Sequence, residues 1–136
     1  MAQALSLTLT ANVVLSSSWE LPIRTVLTYR ADDPYAVSLA FEDWDGQEIV
    51  WVISRELLSE GVLVASGIGD VRIWPAKRGR VTKLCLSLKS PEADVVLATS
   101  RTKVLNWLRE TEKLVPTGTE SEHLDLDAGL MALMSE

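Results

Sequence analysis

Leu5-Ser6-Leu7-Thr8-Leu9-Thr10-Ala11-Asn12-Val13-Val14-Leu15 carries an apolar side chain at every odd position and a polar one at each even position as far as Asn12. Alternation at period two marks a β-strand with one face buried. Ser16-Ser17-Ser18 interrupts the alternation and Pro22 restricts the residue before it, so a turn is expected before a second strand over Ile23 to Arg30.

The same punctuation recurs downstream. Asp32-Asp33-Pro34 has turn chemistry, because aspartate side chains bond nearby backbone and proline pre-sets one dihedral. Tyr35, Val37, Leu39 and Phe41 then alternate in a third strand, and Asp45-Gly46 is a pair favoured in two-residue hairpin turns. The return strand, Glu48 to Ile53, is apolar on both faces, so its outer face should meet a helix or a neighbouring subunit. Ser54 is placed to cap a two-turn helix, with Glu56 in its first turn and Gly61 at its end.

A second group of strands is expected over Val62 to Ser66, Val71 to Trp74, Val81 to Leu88 and Asp94 to Ala98. Gly67-Ile68-Gly69-Asp70 reads as a tight connection between the first two, since it lacks the further glycine and the Lys-Ser/Thr pair of a phosphate loop. Ser100 caps the longest helix, whose apolar face is Val104, Leu105, Trp107, Leu108 and Leu114. The order is four strands and a helix, then four strands and a helix, then a tail.

The chain has 136 residues, 47% apolar and 24% charged, with a formal net charge of -6. That length suits one domain with its own core. The boundaries drawn are one domain over residues 1–119 and a tail over 120–136, an acidic linker leading to a short amphipathic C-terminal helix. The single cysteine, Cys85, lies in an apolar run and reads as a core residue, which fits a reducing compartment. No stretch reaches the roughly 18 apolar residues of a membrane helix and no charged n-region opens the chain, so cytoplasmic residence is expected.

Catalytic chemistry finds no complete motif. One histidine, His123, sits in a charged segment, and no Ser-His-acid or Cys-His set can be assembled around it. Glu120, Glu122, His123, Asp125 and Asp127 could be read as metal ligands, but they also describe a solvated linker ahead of a capped helix, the preferred reading because nothing fixes their directions. No catalytic residue, metal or cofactor is assigned.

Binding is better supported. Trp44 at a hairpin tip and the tail stripe Leu126, Leu130, Leu133 and Met134 are hydrophobes without a local core. The stripe could pack on its own domain or dock in a partner's groove, and the spacing suits both. Lys77, Arg78 and Arg80, beside a sheet with tryptophans, offer an alternative single-stranded nucleic-acid platform, which the acidic balance disfavours.

Several segments together resemble the SsgA-like proteins of sporulating actinobacteria, most closely the SsgB type. They are residues 27–37 (Leu-Thr-Tyr-Arg-Ala-Asp-Asp-Pro-Tyr-Ala-Val), residues 51–61 (Trp-Val-Ile-Ser-Arg-Glu-Leu-Leu-Ser-Glu-Gly) and residues 67–75 (Gly-Ile-Gly-Asp-Val-Arg-Ile-Trp-Pro). Residues 86–92, 115–120 and 124–127 continue the match in family order. The resemblance implies a sporulation-specific cell-division role at the septum, with recruitment of the tubulin-like protein FtsZ alongside an SsgA-type protein. It further implies an α+β, whirly-like fold of two four-stranded antiparallel β-sheets with two main helices, assembled as a homotrimer that reaches the membrane only through partners.

Overall fold

The computed structural model describes residues 3–16, 18–43, 45–91 and 94–124. Its elements are β1 (Ala4–Ser16), β2 (Trp19–Arg30), β3 (Asp33–Glu42), β4 (Glu48–Ser54), α1 (Arg55–Gly61), β5 (Val71–Arg78), β6 (Val81–Lys89), β7 (Asp94–Ser100), α2 (Arg101–Leu114) and a 3-10 helix over Glu120–His123.

The strands form one curled, antiparallel seven-stranded sheet in the order β4-β3-β2-β1-β7-β6-β5. This corrects the expectation of a whirly-like fold with two four-stranded sheets, and two local causes account for the difference. First, β1 is long enough to pair with β2 from Ala4 to Ser16 and also with β7, through Asn12 with Ala98 and Val13 with Leu97. That junction fuses the two halves into one sheet. Second, Val62 to Ser66 is not a strand. Val62 keeps a helical conformation as the C-cap of α1, and Leu63 and Val64 donate their N–H groups back to Glu60 O. Only Ser66 of this segment pairs with the sheet, in a single bridge to Ile73. The short C-terminal helix expected of the tail lies outside the described residues.

The alternation in β1 holds through Leu9 and Ala11, both buried, and fails at Leu15, which is exposed. A register shift between Val14 and Ser16 turns that end of the strand. Proline lies inside β2, where a turn was expected. Pro22 pairs with Asn12 of β1, while β3 joins β2 only from Thr25 onward. The missing N–H therefore faces an open side, the position in which a strand tolerates proline.

Both helices pack on the concave face. Buried Leu27, Tyr29, Leu39, Ile53, Ile73, Leu84, Leu86 and Leu97 from the sheet meet Leu58 of α1 and Val104, Trp107 and Leu108 of α2. The caps stand where the sequence places them. Ser54 Oγ accepts from Leu57 N (3.0 Å), and Ser100 Oγ accepts from Lys103 N (3.2 Å). Cys85 is buried, and burial raises its thiol above the ordinary range.

A candidate protein-docking surface around Arg55

Both helices begin with an arginine, which opposes the helix dipole, since cations belong near the C-terminal end. Each arginine acts on the other helix. Arg55 Nη1 donates to Thr111 O (3.1 Å) and Val115 O (2.8 Å), two carbonyls that close α2. Arg101 Nε donates to Val62 O at the end of α1. Carbonyls at each helix end thus accept from the opening side chain of the other, Thr111 O in addition to the Val115 N–H it already holds.

Arg55 is only 4% exposed, so its charge needs partners. The guanidinium lies 4.9 Å from the ring centre of the fully buried Tyr29, whose hydroxyl donates to Pro34 O (2.9 Å). Its Nη2 stands 3.7 Å from Glu120 and 3.9 Å from Glu112. Those carboxylates also hold the turn after α2. Thr117 donates its N–H (2.9 Å) and its hydroxyl to Glu112, and Gly118 N–H donates to Glu120. Three of the resembling segments, over residues 27–37, 51–61 and 115–120, therefore meet at one guanidinium.

Glu112 shows the electrostatic balance. Burial alone would raise its carboxyl, but the two Thr117 hydrogen bonds and the Arg55 charge outweigh it and hold the group below the usual glutamate range. Folding then favours the ionised form. Its contribution is complete above the ordinary glutamate pKa and is lost as pH falls through the lower folded value. Glu112→Gln, which keeps the shape, is expected to flatten the loss of melting temperature between about pH 5 and about pH 3. An unchanged acid slope, measured by thermal denaturation, would contradict this account.

Beside the Arg55 cluster, which acts as a latch between the two helices, a groove of about 330 Å³ opens, bordered by Tyr35, Glu56, Glu60, Leu63, Glu112 and Glu120. Tyr35 and Leu63 are exposed. Glu56 and Glu60, which lie outside the Arg55 cluster, with exposed Tyr35 and Leu63 on a floor fixed by Arg55, form a surface suited to a protein ligand with basic and apolar groups. The enclosed space between sheet and helices is about 10 Å³ with an almost wholly apolar lining, about one water molecule's worth.

Trp44, Leu126, Leu130 and Met134, expected from the sequence as partner contacts, all lie outside the described residues. Lys77, Arg78 and Arg80 stand exposed at the β5–β6 turn, and Arg78 is ion-paired with Glu20 of β2. Glu120, Glu122 and His123 fall in the 3-10 helix. Among the described residues no group of three or more His, Cys, Asp or Glu side chains converges to hold a metal, and no helix is long and apolar enough to cross a membrane. Arg55 was quoted from the sequence without a role. An arginine opening a helix against its dipole was the signal that could have found it.

Known proteins match this chain over most of its length. A family model described as Streptomyces sporulation and cell division protein, SsgA, matches residues 23–120. The sporulation-specific cell division protein SsgB of Streptomyces coelicolor is 37% identical over 124 residues, covering 91% of this chain and 90% of that protein. SsgB of Frankia casuarinae is 37% identical over 126 residues, covering 93% and 88%. Among solved structures, an SsgA-like sporulation-specific cell division protein from Thermobifida fusca superposes with a TM-score of 0.86 at 30% identity, covering 96% of each chain. An SsgB structure from work on mutations that correlate to longitudinal cell division in Streptomyces coelicolor also gives 0.86, at 35% identity over 91% of this chain and 98% of that one.

Proposed function

The chain belongs to the SsgA family of sporulation and cell-division proteins, and from that membership we propose that it is a non-enzymatic adaptor at the division septum that recruits FtsZ. The carrying observation is the acidic groove with exposed Tyr35 and Leu63, set beside the point where three family-like segments converge. A floor already fixed by Arg55 favours docking, because the groups it holds have no freedom left to lose on binding. Assembly as a homotrimer, with an SsgA-type protein as a further partner, would multiply weak contacts through effective concentration.

Groove substitutions test the reading. Tyr35→Ala with Leu63→Ala is expected to weaken binding of fluorescently labelled FtsZ about tenfold, with the melting temperature unchanged because both side chains are exposed. Equal affinity of variant and parent would place the FtsZ contact elsewhere.

A further inference from the structure

The two edges of the sheet are treated differently. An open edge presents unpaired N–H and C=O groups that can template another chain, and proteins usually guard it with proline, basic residues or a covering segment. The β5 edge has all three. Ser66 bridges it through two backbone hydrogen bonds to Ile73 (2.8 and 2.9 Å), Pro75 lies within the strand, and Lys77 and Arg78 end it. The β4 edge has none. Glu48–Ser54 contains no proline, lysine, arginine or glycine, and among the described residues no strand pairs with its outer side.

The register shows what that edge offers. Asp43 N–H donates to Gln47 O (2.9 Å), and hydrogen-bonded pairs in an antiparallel ladder recur at every second residue. Phe41 with Ile49, Leu39 with Trp51 and Val37 with Ile53 therefore bond β3 to β4, and the backbone groups of Val50 and Val52 point to the open side. Their side chains lie on the convex face, 51% and 65% exposed. Next in that row stands Glu48, directly opposite Glu42 across the strands. Like charges facing in this way are destabilising. Glu42, Asp43 and Glu48 share a depression with a single guanidinium, that of Arg24, so negative charge is in excess.

We propose that β4 is a strand-addition site for an extended segment of another protein that carries aliphatic residues at two alternate positions, opposite Val50 and Val52, and a lysine or arginine at the next, opposite Glu48. Backbone bonds supply affinity and the alternate side chains supply selectivity. Charge decides the occupant. A second copy of β4 would bring only another Glu48, and the chain's own residues 125–136 contain Asp125, Asp127 and Glu136 but no lysine or arginine. Neither neutralises the Glu42 and Glu48 pair. This inference is independent of the FtsZ reading, because it concerns a different surface.

The test is amide hydrogen exchange by NMR on the full chain, with a ten-residue peptide that has valines at two alternate positions and lysine at the next, and a control with glutamate in place of the lysine. The lysine peptide is expected to slow exchange of the Val50 and Val52 amides at least tenfold, to leave the Trp51 amide little changed, and to bind about tenfold more tightly than the control. Val50→Lys with Val52→Lys should abolish the protection without changing the melting temperature. The proposal is overturned by equal protection from both peptides, or by none at millimolar peptide. It is also overturned if these amides are already protected in the protein alone and become exposed on dilution, which identifies a second copy, or on truncation after Leu124, which identifies the chain's own tail.

Discussion

Arg55→Met should lower the melting temperature by about 10 °C, because stripping a buried acceptor of its charged donor costs up to about 3 kcal/mol in a domain of this size. The loss has three parts: Val115 O goes without its donor while Thr111 O keeps only the Val115 N–H, Glu120 loses its nearest cation, and the face of Tyr29 loses the guanidinium. Arg55→Lys should recover little of it, since one ammonium cannot span both carbonyls and both carboxylates as a planar fork does. Arg30→Ala provides the contrast. Arg30 bonds Asp32 in an exposed pair within one turn, and its removal should leave the melting temperature unchanged. If both substitutions gave equal, small shifts in thermal denaturation, the latch would have no energetic basis.

Gly61→Ala is the second large effect. A Cβ at position 61 would lie 2.4 Å from Ile73 Cγ2 and 2.5 Å from Ile73 Cβ. Ile73 is fully buried on β5, so its side chain has nowhere to turn and α1 must move away from the sheet. Overpacking of this kind costs about 1–3 kcal/mol. Because Arg55 opens the same two-turn helix, the displacement should also loosen the latch, seen as faster amide exchange at Thr117 and Gly118. Gly46→Ala makes the comparison, since its Cβ would meet open space and only the positive φ is strained. A Gly61→Ala protein as stable as the parent would show that the helix approaches the sheet less closely than described.

Gly61 also shows how far local rules reach. Sequence reasoning placed it as a helix terminator, and α1 does end there, yet the reason for glycine is the approach to Ile73, a contact between residues 12 apart that no local pattern encodes. Strand and helix positions were legible wherever one face is buried, as in β3, where Val37, Leu39 and Phe41 point inward, and in α2 with its Ser100 cap. The eighth strand failed because Val62 to Ser66 is rich in β-branched and aliphatic residues, while the helix-end hydrogen bonds to Glu60 O take its backbone groups. The single sheet was hidden for another reason. Its junction rests on two pairs between β1 and β7, Asn12 with Ala98 and Val13 with Leu97, near opposite ends of the chain, and alternation reports which face is buried but not which strand is the neighbour.

The docking surface was less legible still. Alternation alone puts Tyr35 on the buried face with Val37 and puts Leu63 in a strand; Tyr35 is exposed because the β2–β3 register shifts between Tyr29 opposite Val37 and Arg30 opposite Asp33, and Leu63 because it follows the end of α1. The apolar run of β4 was the clearer clue, since two-sided hydrophobicity anticipated a covered outer face and the described residues leave Val50 and Val52 uncovered.

Co-sedimentation with GTP-assembled FtsZ polymers, with the mass of the free protein measured by light scattering, tests the adaptor reading most directly. A homotrimer that pellets with the polymers in a saturable manner, and that remains in the supernatant when Tyr35 and Leu63 are both alanine, is the expected result. A monomer that never pellets, or an assembly that pellets equally with and without the groove side chains, would contradict it.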